Sequence, residues 1–124
     1  LMKVADIMHS GQEIPLAAPE TEMSEVILEM TAKRFGCVGI IDSDGRLVGI
    51  ITDGDLRRHM GDTLLEARAS NVMTKGSCVI HPDALVSEAL SVMNSLSITN
   101  LFVLDKTGPV GIIHIHDCLR AGVA

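Results

Sequence analysis

Thr52 and Asp55, a hydroxyl and a carboxylate three residues apart, sit in the run Gly49-Ile50-Ile51-Thr52-Asp53-Gly54-Asp55-Leu56-Arg57-Arg58, where apolar residues give way to charged ones. A hydroxyl leaving a strand and a carboxylate at the start of the following helix meet in one cleft. Such a pair suits a ribonucleotide. Asp55 accepts from ribose hydroxyls, while Thr52 and the helix-start N–H groups hold phosphate. The same spacing also serves the helix alone, with Asp53 or Asp55 capping its first turn. Both readings stand on these residues. Arg57 and Arg58 follow directly and are the cations best placed to meet an anion; Arg34, Lys75 and Arg120 are further candidates, each ordinarily a solvated surface charge.

A second run, Gly111-Ile112-Ile113-His114-Ile115-His116-Asp117, keeps the carboxylate but replaces the hydroxyl with His114. Two imidazoles at i and i+2 begin a metal site only if a third ligand joins them, and no third ligand is evident, so no metal is expected. The expectation is that one of His114 and His116 faces the cleft and donates to a ligand while the other packs outside. No Ser/His/Asp or Cys/His arrangement stands in a recognisable local context, and no Walker-type glycine loop is present. The chain by itself is therefore expected to bind rather than to catalyse, with no cofactor required. Cys37, Cys78 and Cys118 are odd in number and lack paired zinc spacing, which reads as reduced thiols in a cytoplasmic protein.

Charge narrows the partners. The formal net charge of −6 opposes binding to nucleic acid or an anionic membrane, where many cations must neutralise many phosphates. With two Phe and neither Trp nor Tyr, the chain also lacks stacking platforms for single strands. There is no run of about 18 apolar residues and no signal-peptide pattern at the start. The opening Leu1-Met2 reads as an excised piece of a longer protein.

The elements that must position these residues come in two copies. Thr21 to Met30 aligns with Ala84 to Met93 at one offset that also pairs Pro19 with Pro82, Asp42 with Asp105 and Gly45 with Gly108. After a one-residue deletion, Gly49-Ile50-Ile51 matches Gly111-Ile112-Ile113 and Asp55 matches Asp117; upstream, Asp6-Ile7-Met8 echoes Asn71-Val72-Met73. Each copy predicts a helical turn ending at Met8 or Met73, then a brief strand around Ile14-Pro15-Leu16 or Cys78-Val79-Ile80. A helix follows with apolar residues at Met23, Val26, Ile27 and Met30, or at Val86, Ala89, Leu90 and Met93. Acids in the first turn, Glu22 and Glu25 or Asp83, favour the positive helix end. A hairpin comes next, Cys37 to Ile41 with Leu47 to Ile51, or Leu101 to Leu104 with Val110 to Ile113, its turn closed by Gly45 or Gly108. A last short helix begins near Asp53 or Ile115. The reading is an α/β (α+β) protein of two β-α-β-β-α repeats, 1–60 and 69–124, joined by a linker at 61–68 and packed through their sheets about a pseudo-twofold axis.

The tandem pattern with its Gly-x-x-Thr-x-x-Asp segment resembles a pair of cystathionine-β-synthase (CBS) domains, a Bateman module. In that family the Thr and Asp contact the phosphate and ribose of adenosine ligands. The resemblance carries those roles to Thr52 and Asp55, and the carboxylate role to Asp117, and implies that backbone near Ile14 and Pro15, or Cys78, Val79 and Ile80, also lines the site. The stretches Asp6-Ile7-Met8-His9, Glu13-Ile14-Pro15, Thr52 to Arg58 and His114 to Val123 resemble the C-terminal part of arabinose-5-phosphate isomerases of the KpsF/GutQ type. That resemblance implies an N-terminal sugar-isomerase (SIS) domain in the same polypeptide and a place in Kdo and lipopolysaccharide biosynthesis. It further implies a homodimer within a tetrameric enzyme and a ligand such as CMP-Kdo, CMP or an adenosine nucleotide, His114 meeting the extra carboxylate. The alternatives are a dimerisation or tetramer scaffold that binds no ligand, an adenosine-nucleotide sensor of another enzyme and, as a weaker third class, a metal-binding module on His114 and His116.

Overall fold

The computed structural model describes residues 1–123. The helical periodicity is realised in α2 (Met23–Lys33), which buries Met23, Val26 and Met30, and in α5 (Val86–Leu96), which buries Val86, Ala89, Leu90 and Met93. Each ends on a left-handed residue, Arg34 (φ 69°) and Ser97 (φ 56°), whose N–H closes back on the last turn. Glu22 and Glu25 sit at the N-cap and in the first turn of α2. Asp83 does not do this for α5, which starts later, at N-cap Leu85, with Glu88 as its first-turn acid.

The hairpins are β2 (Cys37–Ile41) with β3 (Leu47–Thr52), and β5 (Asn100–Asp105) with β6 (Gly108–His114). The second hairpin runs longer than its apolar residues alone suggest, because Asn100 pairs with His114 and Asp105 with Gly108. Gly45 (φ 82°) and Gly108 (φ 116°) supply the left-handed backbone at the turns. Short strands β1 (Leu16–Ala17) and β4 (Val79–Ile80) add in parallel to β2 and β5, giving two three-stranded mixed sheets. β1 starts after the expected Ile14 and Pro15. Proline has no N–H to donate to a ladder, and Pro15 contributes only its carbonyl, which accepts from Gly39 N–H at 2.8 Å.

The chain forms two compact units that cut across the sequence repeats. One is continuous, Pro15–Ser77; the other is discontinuous, Leu1–Ile14 with Cys78–Ala124. The leading helical turn of each repeat thus packs on the other repeat's sheet. In the discontinuous unit α1 (Val4–Ile7) buries Val4 in a core with Ile80, Leu101, Val103 and Ile113. In the continuous unit α4 (Ala69–Val72) buries Ala69 and Val72 with Val38, Ile40 and Ile51. Each such valine contributes roughly 1.5–3 kcal/mol.

Residues 61–68, expected as a linker, belong to the continuous unit's packing. A 3-10 turn over Leu64–Glu66 buries Leu64, and the Ala67 carbonyl accepts from Met23 N–H at 2.8 Å.

The exchanged segments dock in matching ways. Thr74 and Ile50 trade two backbone bonds at 2.9 and 3.0 Å; His9 and Ile112 trade two at 2.9 Å. Beside each bridge lies a glycine under a methionine. A Cβ on Gly49 would stand 2.5 Å from Met73 Sδ, and one on Gly111 would stand 2.5 Å from Met8 Sδ and 2.9 Å from the His9 carbonyl oxygen. These glycines are required by close approach, not by backbone angle.

Candidate functional site

In the continuous unit, Thr52 closes β3 and is the N-cap of α3 (Asp53–Arg58), with Asp55 at its third position in a reciprocal capping box. Asp55 is only 2% exposed. Its Oδ2 accepts from Thr52 N–H at 2.9 Å and from the Thr52 hydroxyl at 3.2 Å. Its Oδ1 accepts from the Thr74 hydroxyl at 2.5 Å and from the Arg58 guanidinium. Burial alone pushes this carboxyl up, but the bonds from Thr74, the Thr52 backbone and Arg58 outweigh it and hold Asp55 below its ordinary value. Of the two readings of Asp55, capping is realised in the structure, and both carboxylate oxygens are already engaged.

The discontinuous unit rebuilds the same hub with different side chains. His114 closes β6 and caps α6 (Ile115–Arg120) through its Nδ1, which accepts from His116 N–H at 3.0 Å. An imidazole nitrogen thus stands in for the N-cap hydroxyl, and it places the ring proton on Nε2. Asp117 accepts from His114 N–H at 2.8 Å, from Arg120 Nη2 at 2.5 Å and from His9 Nε2 at 3.0 Å. Burial raises the Asp117 carboxyl, and the His114 backbone, His9 and Arg120 more than reverse it. Burial, reinforced by His116, holds the His114 imidazole below its ordinary value. His114 is the half-buried ring of the two and His116 the exposed one. Their rings lean on one another, 4.5 Å between centroids, because the cap bond draws residue 116 back over residue 114.

The remaining expected residues are more scattered. Arg57 is exposed beside Arg58. Ile14 is buried in the discontinuous unit while Pro15 opens the continuous one, so the chain crosses between units at that bond. Val79 and Ile80 form β4, with Val79 partly exposed and Ile80 buried, and Cys78 precedes them. Thr74 and His9 were missed, yet each directly follows the matched Met73 and Met8, so extending the repeat alignment by one residue reaches both. A concavity of about 520 Å³ lined by Leu16 to Glu20 and Ile41 to Ser43 lies at the hairpin end of the first sheet, away from Thr52.

Among the described residues no three of His, Cys, Asp and Glu gather in a way that could hold a metal ion. The three cysteines are free thiols. Burial, with Asp53 adding to it, pushes Cys37 up to about 12, and burial and Asp117 raise Cys118, so neither is an activated nucleophile. No helix among the described residues is long and apolar enough to cross a membrane.

A family model described as CBS domain matches residues 4–62 and again residues 69–124. Arabinose 5-phosphate isomerase KdsD of Yersinia pestis is 44% identical over 125 residues, covering 99% of this chain and 38% of that protein. The chain thus spans well under half of the relatives it matches. CBSX2 in complex with AMP superposes with a TM-score of 0.82 at 21% identity, over 98% of this chain and 96% of that one. The CBS domain pair of protein MJ0100, in complex with 5′-methylthioadenosine and S-adenosyl-L-methionine, gives 0.84 at 24% identity, over 98% and 96%. At these identities the two structures establish the fold alone.

Proposed function

The chain belongs to the CBS-domain family as a tandem pair, and from that premise we propose that it is a regulatory module binding a nucleotide or nucleotide sugar at sites built on Asp55 and Asp117. The observation that carries this reading is the pair of buried carboxylates, each placed at a strand end beside an exposed arginine three residues on. Adenosine ligands in the two solved relatives support the ligand class. Identity to KdsD supports a role as the regulatory part of an arabinose-5-phosphate isomerase, with a SIS catalytic domain in the same polypeptide and a place in lipopolysaccharide synthesis in the cytoplasm.

Because both oxygens of Asp55 are engaged, a ribose hydroxyl must displace a present donor. Arg58, 61% exposed on a long side chain, is the one that leaves at least cost and then meets the ligand's phosphate. At the other hub His114, protonated on Nε2, donates to a carboxylate such as that of CMP-Kdo, the ligand we rank first; CMP and adenosine nucleotides follow.

A melting series on the full chain tests this. A ligand at a hundred times its dissociation constant adds about 2.7 kcal/mol, a shift of roughly 5–15 °C for a domain this size. Inorganic phosphate should do little. Arg58→Gln should weaken nucleotides while sparing the corresponding nucleosides. If no nucleotide or nucleotide sugar moves the melt, the sensor reading fails.

A scaffold role has its own observation. Met60 (70% exposed) after α3 and Leu119 (53% exposed) on α6 leave apolar surface open, which suits a homodimer within a larger tetrameric enzyme. Light scattering at high protein concentration tests it, and a strictly monomeric mass would count against it.

A further inference from the structure

His9 stands between two carboxylates. Its Nδ1 lies 3.2 Å from Glu13 Oε1 and its Nε2 lies 3.0 Å from Asp117 Oδ1. A neutral imidazole has one N–H and one lone pair, so it serves one of these acceptors and turns a lone pair on the other; only the imidazolium donates to both. The charged and titratable groups near the ring include Glu13 from its own segment, Asp117 and Arg120 from α6, and His114 at the end of β6.

We propose that His9 is a proton-operated clamp: protonated, it ties the Gly11–Glu13 turn to α6 through Asp117, and neutral, it lets that turn go. The side that releases follows from exposure. Glu13 is 65% exposed and exchanges the lost donor for water, whereas Asp117 at 6% has little water to turn to and keeps its Nε2–H bond. The backbone bridge between His9 and Ile112 involves no titrating group, so the segment stays docked while the turn beyond it loosens. That turn leads directly to the Ile14–Pro15 bond at which the chain passes from one compact unit to the other. The second crossing, at Ser77 and Cys78, is approached from Thr74, whose hydroxyl holds Asp55 and does not titrate. One crossing is therefore proton-sensitive and the other is not. Burial draws the His9 imidazole down, but the bonds to Asp117 and Glu13 outweigh it and set the ring above its ordinary value of 6.5, so the clamp releases only as pH rises past that ordinary value. This goes beyond the ligand-binding reading and does not depend on it.

Hydrogen exchange on the full chain between pH 5.5 and 8.5, corrected for intrinsic rates, reads the clamp without any ligand. Protection of the Glu13 and Ile14 amides, which bond to Ser10 and Gly11, should fall several-fold as His9 deprotonates, while amides of residues 74–77 keep constant corrected protection. Glu13→Ala, at an exposed position that leaves the core intact, should abolish the pH step. His9→Thr, which copies the other unit, should do the same. The proposal is overturned by wild-type protection that does not change with pH, by a pH step that survives Glu13→Ala, or by a His9 ring that titrates at or below 6.5 in an NMR titration.

Discussion

The hubs around Asp55 and Asp117 are two solutions of one problem. Both keep a carboxylate that returns to its own N-cap N–H, an arginine three residues on, and a side chain delivered by the exchanged segment. They differ in who fills the variable places: hydroxyls from Thr52 and Thr74 in one, imidazoles from His114 and His9 in the other. What fixes the backbone is retained, and what fills the remaining bonds is changed. A repeated unit thereby carries two chemically unlike hubs on one fold.

The comparison is broken most severely by removing the carboxylates. Asp55→Ala leaves the Thr52 N–H, the Thr74 hydroxyl and Arg58 without their acceptor, and Asp117→Ala does the same to its partners; each should cost about 2–4 kcal/mol in denaturant unfolding. For Asp55 this is the outcome of a capping hub. An unliganded fold of unchanged stability would mean that the carboxylate serves the ligand alone.

Next come the glycines. Gly111→Ala should cost more than Gly49→Ala, about 2–3 against about 1 kcal/mol. At Gly49 only the flexible Met73 side chain is in the way, whereas at Gly111 the His9 backbone carbonyl also blocks the new methyl. Equal losses would show that both methionines yield equally.

A smaller effect comes from exchanging the titrating partner. Because the folded value of His9 is raised, its stabilisation is fully present below about pH 6.5 and is lost as pH rises through that elevated value. The His9 contribution should therefore decline by less than about 1 kcal/mol from pH 6 to 8, the scale of part-exposed ion pairs, against a rise from His114, whose lowered value favours the folded state as pH climbs. His9→Thr should remove the decline and leave the rise, read as the difference from wild type, and Thr74→His should introduce a decline in the continuous unit. The smallest signal is chemical: a thiol reagent at pH 8 should label half-buried Cys78 well before buried Cys37 and Cys118. Simultaneous labelling would indicate global opening.

Much of this was legible in the chain. Apolar spacing at Met23, Val26 and Met30 and its copy at Val86, Ala89 and Met93 located the long helices, because one buried face dictates that period. The turn glycines located the hairpins. The hub carboxylates stood out because the repeat alignment singled them out. What stayed hidden was non-local. Nothing in Met8-His9 or Met73-Thr74 says which sheet they will dock on, since periodicity reports that a face is buried and not against what. Leu64 was lost for the same reason, since Leu64 and Leu65 side by side among charged residues have no period to show. The imidazole cap at His114 was equally opaque, since a sequence carries no tautomer.

The exchange of leading segments also sets an order of assembly. In the continuous unit the hub is closed by residues 19 apart, Asp55 and Thr74; in the discontinuous unit by residues 108 apart, His9 and Asp117. By loop-closure entropy the longer span costs about 1.5 kcal/mol more. During synthesis residues 1–14 must wait for partners that begin at Pro82 and end at Ile112, whereas the continuous unit closes as soon as Ser77 is available. The two halves of the molecule therefore have different histories as well as different side chains: the half whose hub is built on His9 and His114 is the last to be completed.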